Sequence, residues 1–151
     1  MPADAPRKKR LSEDTARALL AAAERARQSA YAPYSGFEVG AALLDAEGRI
    51  HTAANVENAS YPLATCAERV AVVTAVGQGA REFDAIAVAG PRSGQPCPPC
   101  GSCRQILHEF GADMMVVLAI SGGGHRVVPL AELLPEAFDA SQIGPSRGGA
   151  K

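Results

Sequence analysis

The chain has 151 residues, of which 47% are hydrophobic, and its 15 basic and 16 acidic side chains leave a net charge of −1 at pH 7. This length suits one domain with a sizeable core, and the balanced charge excludes a field that would attract nucleic acid or a membrane surface. No stretch has the apolar length of a membrane span, and no apolar segment follows the basic start as in a secretory signal. We therefore expect a cytoplasmic protein whose cysteines serve metal or redox chemistry rather than disulfides.

The two ends of the chain lack the pattern of a packed element. The basic run RKKR, residues 7–10, lies in a stretch rich in proline and alanine. Such a run indicates a solvated tail more readily than an arm that binds nucleic acid. We predict flexible tails at residues 1–10 and 139–151, with a single domain over residues 11–138.

Hydrophobic periodicity predicts four helices and five strands in the order α-β-β-α-β-α-β-β-α. The first helix begins at Ser12, a typical N-cap, and the first strand alternates so that Phe37, Val39, Ala41 and Leu43 share one face. In chain order, the predicted segments are SEDTARALLAAAERARQ, FEVGAALL, IHTAAN, CAERVAVVTAV, FDAIAVAG, GSCRQILHEF, MMVVLAI, HRVVPL and AELLPEAF. A hairpin followed by β-α-β units indicates one mixed sheet with helices on its faces.

Three of the four cysteines lie at the predicted starts of two helices. Cys66 opens one helix, and Cys100 and Cys103 open another. The free N–H groups and the dipole at a helix N-terminus favour thiolate over thiol. Three thiolates leave the fourth tetrahedral position of a Zn²⁺ ion open, which is typical of a catalytic site. The spacing alone also permits a closed structural site with Cys97 as the fourth ligand.

Two charged residues close to Cys66 favour the catalytic alternative. Glu68 lies on the same first helical turn, where a carboxylate can act as general acid and base beside an open zinc site. Arg69, on that turn too, can donate hydrogen bonds to thiolate sulfur and offset the negative charge of the site. The pattern C-A-E followed by P-C-x-x-C is that of the zinc deaminases, with cysteine as the first ligand.

Four segments together resemble the cytidine deaminases of the small homotetrameric type. They are YSGFEVGAALL, NVENASYPLATCAER, PCGSCRQ and ELLPEAF, which occur in the family's order and span most of residues 31–138. The resemblance implies a three-layer α/β/α fold with a five-stranded mixed sheet, one zinc ion per subunit and a homotetramer. It also implies hydrolytic deamination of the nucleosides cytidine and deoxycytidine to uridine and deoxyuridine, a reaction of pyrimidine salvage.

The resemblance further assigns the metal and the proton carrier. The family's proline before the first paired cysteine is Pro99 here, which implies Cys100 and Cys103 as ligands together with Cys66 and leaves Cys97 as an extra thiol. The residue that corresponds to the family's proton shuttle is Glu68.

Substrate contacts are implied by position as well. Phe37 is expected beside the nucleoside, Asn55 and Glu57 at the ribose 3′-hydroxyl, and the backbone N–H of Ala67 at the pyrimidine O2. Three residues are expected to reach into a neighbouring subunit's site, and these are Ala59, Tyr61 and Phe138. The chain continues Phe138 with Asp-Ala, where family members often have Gly-Pro.

Other functions compete with this interpretation. A zinc-knuckle binding module would need closed metal sites and a basic face. A thiol–disulfide oxidoreductase could use Cys97 and Cys100, although its motif normally lies in a different order of elements. A deaminase of another aminopyrimidine, such as a nucleoside antibiotic, would share the metal chemistry. The three histidines are expected to be structural or exposed, and they are His51, His108 and His125.

Overall fold

The structure, a computed structural model, describes residues 10–144, so most of the two predicted tails lies outside the described residues. The helices are α1 (Glu13–Arg27), α2 (Ala67–Gly77), α3 (Gly101–Phe110) and the short α4 (Leu130–Leu133). The strands are β1 (Gly40–Asp45), β2 (Ile50–Ala54), β3 (Phe83–Ala89), β4 (Met115–Ala119) and β5 (His125–Pro129). This is the predicted order, with 3₁₀ turns added at Tyr61–Leu63 and at Ala140–Gln142, the latter within the predicted C-terminal tail.

The five strands form one mixed sheet in the order β2-β1-β3-β4-β5. Strands β3 and β4 are parallel, and the other neighbouring pairs are antiparallel. Helix α1 covers one face, and α2 and α3 cover the other, which confirms the three-layer α/β/α prediction. None of the helices between residues 10 and 144 combines the length and apolarity needed to cross a membrane.

Small side chains let α1 lie close to the sheet. Ala16, Leu19 and Ala23 are fully buried against alanines of β1 and β3. Gly40 in β1 lies directly beneath the helix. A Cβ at this position would overlap the backbone of Ala23, so only glycine permits the close approach. Larger side chains fill the opposite layer, among them Val72, Phe83, Ile86, Leu107, Met114 and Leu118. The helices that begin at the cysteines therefore pack on the bulkier face of the sheet.

The first strand begins later than predicted. Val39, Ala41 and Leu43 belong to one buried cluster as expected, but Phe37 precedes β1 and is 48% exposed. The reason is a tertiary contact. The side chain of Asn55 accepts the N–H of Val39 at 2.9 Å and donates to the carbonyl of Phe37 at 2.8 Å. The prediction that Phe37 lies on a strand is therefore wrong, because the side chain of Asn55 binds the backbone groups that a neighbouring strand would otherwise pair with.

A buried polar cluster ties the β1–β2 hairpin to the end of α2. Asp45 accepts the N–H groups of Glu47 at 3.0 Å and of Arg49 at 2.9 Å, and also the guanidinium Nε–H of Arg49 at 2.8 Å. Its Oδ2 lies 2.9 Å from His51 Nε2, and His51 Nδ1 lies 3.2 Å from Gln78 Oε1. Burial alone would raise the pKa of Asp45, but these hydrogen bonds outweigh it and hold the pKa well below its usual range.

We expect Asp45→Asn to lower the free energy of unfolding by about 2–3 kcal/mol at neutral pH, because an amide NH₂ would face the donors of Arg49 and His51. The folded-state pKa lies below the unfolded one, so this stabilisation is present above about pH 4 and is lost as the pH falls further. Urea denaturation of wild type and variant, at neutral pH and at about pH 3, measures both effects.

The matched control is Glu47→Gln in the same turn. Glu47 is exposed and forms a surface ion pair with Arg49 at 2.9 Å, so its loss should cost less than about 1 kcal/mol. Equal losses in the two variants would contradict the importance of the buried carboxylate. A gap between wild type and Asp45→Asn that does not narrow in acid would contradict its low pKa.

Candidate active site

The N-termini of α2 and α3 bring three cysteines together. Cys66 is the N-cap of α2, and Cys100 is the N-cap of α3. Cys103 lies on the first turn of α3 and is fully buried. In the part of the chain that the structure describes, these three Sγ atoms all lie within 4.8 Å of one another. We call this set the three-cysteine group; it consists of the cysteines that the sequence analysis proposes as metal ligands.

Contacts on the preceding loops hold both helix starts in place. Before α2, Val56 and Thr65 exchange two backbone hydrogen bonds of 3.0 and 2.8 Å. Before α3, Arg104 Nε–H donates to the carbonyl of Pro99 at 2.8 Å, and Arg104 Nη1–H donates to the carbonyl of Leu133 at the same distance. Backbone pairing therefore holds the loop before α2, and the Arg104 side chain connects the loop before α3 to α4.

The burial of the thiols and of Glu68 around the three-cysteine group favours binding of a cation. Burial raises the pKa of Cys66 and of Cys103. Burial also acts to raise the pKa of Cys100, but the nearby backbone N–H of Cys103 stabilises the thiolate, and the net shift is downward. Glu68 is 4% exposed, and burial raises its pKa as well. Several buried acids side by side are unfavourable as anions unless a metal ion compensates their charge.

The donor set fits a zinc ion. Zn–S bonds of about 2.3 Å in a tetrahedral site separate sulfur atoms by about 3.8 Å, a spacing that the 4.8 Å limit of the group accommodates. Thiolate sulfur is a ligand type that Zn²⁺ prefers. Cys66, Cys100 and Cys103 would supply three ligands. Arg69 is half-buried on the first turn of α2, three residues after Cys66.

Cys97 lies outside the three-cysteine group. It is half-buried, packs against the core and lines the adjacent cavity. A Cβ at Gly90 would lie 2.9 Å from both Cβ and Sγ of Cys97, so the missing side chain at Gly90 leaves room for this thiol. The arrangement favours an open site with three cysteines over the closed site with four.

A cavity of about 280 Å³ adjoins the three-cysteine group, a volume near the lower end of the range for small-molecule sites. Its walls contain Cys66, Cys100 and Glu68. The predicted substrate residues on its walls are Phe37, Asn55, Glu57 and Ala67. Ala67 is the first residue of α2, where backbone N–H groups have no partner within the helix. Cysteines of the three-cysteine group, a buried acid and polar groups therefore share one cavity.

Asn55 and Glu57 shape this cavity as well as lining it. Asn55 binds the backbone of residues 37–39, as described above. Glu57 Oε1 accepts the N–H groups of Tyr34 at 3.0 Å and of Ser35 at 3.1 Å. Hydrogen bonds from the hydroxyl and the N–H of Ser35 hold the pKa of Glu57 below its ordinary value. Glu57 is therefore an anionic anchor for the loop that precedes β1.

The residues expected to reach a neighbouring subunit lie on the surface. Ala59 is exposed, and Tyr61 and Phe138 are 70% and 58% exposed. The ring of Tyr61 contacts that of Tyr34 edge to face, with centroids 5.8 Å apart. The carbonyl of Phe138 accepts a hydrogen bond from Gln105 Nε2 at 2.8 Å. These three residues thus lie where a second chain could contact them.

Several lining residues have no role in the sequence analysis. Ser35, Thr65 and Pro98 all line the cavity. Thr65 and Pro98 lie within two residues of a cysteine of the metal group, so proximity along the chain could have indicated them. Ser35 lies in a Pro/Gly loop, where a serine predicts a turn but gives no sign of a cavity.

Comparison with known proteins decides among the alternatives. The sequence profile described as the cytidine and deoxycytidylate deaminase zinc-binding region matches residues 13–119. The chain belongs to the cytidine and deoxycytidylate deaminase family. The resemblance noted in the sequence is thereby confirmed, and the zinc-knuckle and oxidoreductase alternatives disagree with this membership.

Individual relatives of the family support the same conclusion over most of the chain. The cytidine deaminase of Halalkalibacterium halodurans is 46% identical over 126 residues, which cover 83% of this chain and 95% of the relative. The cytidine deaminase of Sporosarcina psychrophila is 44% identical, with 83% and 92% covered. The crystal structure of cytidine deaminase from Burkholderia pseudomallei shares 50% identity and a TM-score of 0.75, with 81% of this chain and 98% of that chain covered.

We expect Ala at position 66, 100 or 103 to remove zinc from the purified protein, because two thiolates cannot replace three in holding the ion. Cys97→Ser should retain about one zinc per chain. Metal analysis by plasma emission spectrometry, with thermal unfolding of the same samples, measures both results. Loss of zinc from Cys97→Ser would instead support a closed site with four cysteines.

Proposed function

We propose that this protein is a zinc-dependent cytidine deaminase of pyrimidine salvage in the cytoplasm. It converts cytidine and deoxycytidine to uridine and deoxyuridine with release of ammonia. The observation that carries the proposal is one cavity in which the three-cysteine group adjoins a buried carboxylate, Glu68. Relatives that are 44–50% identical over most of the chain are cytidine deaminases, which supports the same activity.

The reaction replaces the 4-amino group of the pyrimidine with oxygen from water, so it needs an activated water and a proton carrier. Cys66, Cys100 and Cys103 would hold one zinc ion per subunit, which would supply the Lewis acidity that lowers the pKa of water towards neutrality. Glu68 would take one proton from the water and deliver it to ring N3. It would then take the second proton from the same oxygen, by then bound to C4, and pass it to the leaving amine as the C4–N bond breaks. We expect Arg69 to donate hydrogen bonds to thiolate sulfur, which would reduce the negative charge that opposes ionisation of water.

The remaining cavity residues orient a nucleoside. The Phe37 ring packs beside the pyrimidine, and the backbone N–H of Ala67 donates to O2. Asn55 and Glu57 bind the ribose 3′-hydroxyl with the hydrogen-bonding capacity that their loop contacts leave. A carboxylate that accepts a hydroxyl proton in a closed pocket discriminates against substrates that lack it.

The charges of the cavity favour nucleosides over nucleotides. Among the described residues, the lining side chains include the carboxylates of Glu57 and Glu68 and no lysine or arginine. A 5′-phosphate would therefore find no cationic partner here. The description of the family covers both cytidine and deoxycytidylate deaminases, and this feature supports cytidine.

We further propose a homotetramer in which Ala59, Tyr61 and Phe138 contribute to neighbouring sites. Exposed apolar side chains support it, because Tyr61 and Leu63 are 70% and 64% exposed close to the cavity. Apolar groups that are exposed together often mark an interface.

One comparison supports a second substrate. A blasticidin-S deaminase from Bacillus cereus is 34% identical over 104 residues, which cover 64% of this chain and 74% of the relative. Blasticidin S is therefore the alternative substrate to assay beside cytidine, and a higher kcat/KM with it would replace the cytidine proposal.

Purified wild type should release ammonia from cytidine, and Glu68→Gln should keep its zinc while losing turnover by about 10²–10⁴-fold. The substitution removes a proton carrier and leaves the metal ligands intact. Ammonia release and zinc content should be measured on the same samples. An inactive wild type with full zinc content would refute the activity, and zinc loss from Glu68→Gln would refute the assignment of Glu68.

Substrate truncation tests the ribose contacts. A charge-assisted hydrogen bond contributes about 1.5–3 kcal/mol, so 3′-deoxycytidine should lose roughly tenfold to a hundredfold in kcat/KM, and cytosine should lose more. CMP should also be a poor substrate, because the cavity lining, over the residues that the structure describes, offers no cationic side chain to its phosphate. Altering the substrate is cleaner than Glu57→Ala, because Glu57 also anchors the loop before β1. If cytosine or CMP reacts as well as cytidine, the proposed roles of Asn55 and Glu57 are wrong.

Light scattering should give a mass about four times the chain mass of 15.6 kDa, because the sites are proposed to share residues between subunits. Activity should fall on dilution below the dissociation concentration of the assembly. A fully active monomer would refute the roles of Ala59, Tyr61 and Phe138.

A further inference from the structure

One serine hydroxyl links the side chain proposed to contact the sugar to the backbone of the residue proposed to contact the base. Ser35 Oγ–H donates to Glu57 Oε2 at 2.5 Å, and the same oxygen accepts the backbone N–H of Phe37 at 2.9 Å. Ser35, Glu57 and Phe37 all line the cavity beside the metal ligands. The hydroxyl therefore connects a carboxylate and an aromatic residue that are distant in sequence.

The surroundings leave Glu57 few alternatives to this contact. Its Oε1 already accepts the N–H groups of Tyr34 and Ser35. Its own N–H donates to the carbonyl of Tyr31 at 2.8 Å, and the N–H of Tyr31 donates to the carbonyl of Asn55 at 2.9 Å. With Oε1 and the backbone fixed, the Ser35 hydroxyl determines how Oε2 faces the cavity.

Phe37 is held from both sides in a similar way. Its carbonyl accepts from Asn55 Nδ2 at 2.8 Å, and its N–H donates to Ser35 Oγ. Gly36, between Ser35 and Phe37, has a φ of 65°, in the region that favours glycine, and this allows the sharp turn that brings the hydroxyl back to the next N–H.

We propose that Ser35 is a positioning residue for the ribose of the substrate, because it holds Glu57 Oε2 and the Phe37 peptide in one arrangement that the sugar 3′-hydroxyl and the pyrimidine recognise together. This inference rests on the proposed function. Ser35 acts through Glu57 and Phe37 and takes no part in the proton transfers of Glu68.

Removing the hydroxyl should affect binding more than chemistry. Ser35→Ala leaves Glu57 Oε2 and the Phe37 N–H without this partner, so both can turn away from the sugar. The ribose contact is the same before and during reaction at C4, and its loss raises KM with little change in kcat. We expect KM for cytidine to rise roughly tenfold, as for one hydrogen bond to a charged group, and kcat to stay within about twofold.

The test compares wild type with Ser35→Ala, Ser35→Thr and Ser35→Cys on cytidine and 3′-deoxycytidine, with zinc content and melting temperature for each. Threonine keeps the hydroxyl and should restore KM to within about threefold. Cysteine keeps a side chain of similar size but is a weak donor, so Ser35→Cys should show the rise in KM expected of Ser35→Ala. It therefore provides the test if Ser35→Ala fails to fold. Ser29→Ala, at an exposed serine just after α1, is the matched control.

The loss in kcat/KM of Ser35→Ala or Ser35→Cys should be large on cytidine and nearly absent on 3′-deoxycytidine, which lacks the group that Glu57 binds. Equal losses on both substrates, or a loss in kcat alone, would show a merely structural role and overturn the inference. An unchanged KM for cytidine would overturn it as well. A wild type inactive on cytidine would overturn the proposed function together with this inference, whereas the other outcomes leave that function standing.

Discussion

Two helix N-termini meet on the same face of the sheet, and the chemistry of the cavity depends on that meeting. Helices α2 and α3 both begin at a cysteine, so the positive ends of both helix dipoles lie close to the sulfur atoms. The three-cysteine group arises because α2 begins immediately after Cys66 and α3 immediately after Cys100, with Cys103 on the first turn of α3. Glu68 follows from the same geometry, since the first turn of α2 buries it against the sulfur atoms.

The loop before β1 completes the cavity through contacts of a different kind. Asn55 and Glu57 follow β2, and both bind the backbone of the segment from Tyr34 to Val39. A polar pair therefore serves structure and recognition at once, so substitutions at either position change the shape of the cavity together with its hydrogen bonds. The end of this loop adjoins β1, and Gly40 at the start of β1 allows α1 to pack directly against that strand.

Local patterns in the sequence predict the elements well, and they also predict that Cys66, Cys100 and Cys103 lie close together. Periodicity gives the order of helices and strands, and the position of each cysteine at a helix start depends only on nearby residues. Predictions fail where a distant side chain intervenes. Phe37 leaves the strand because Asn55 binds its carbonyl, and Ser35 gains a place in the cavity through Glu57. Neither contact leaves a periodic signal, and the position of Cys97 depends likewise on the space beside Gly90.

The parallel pairing of β3 with β4 has a consequence for the order of folding. Cys100 and Cys103 lie in the crossover between these two strands, whereas Cys66 precedes β3. A hairpin such as β1–β2 closes locally, but a parallel pair forms only after a long connection has folded back. We therefore expect the sulfur atoms to converge only after the central strands have associated. Unlike a zinc finger, whose ligands lie in one short segment, this chain draws its three cysteines from two helices on either side of β3. We therefore expect that a nascent chain halted before β4 would not yet hold them together.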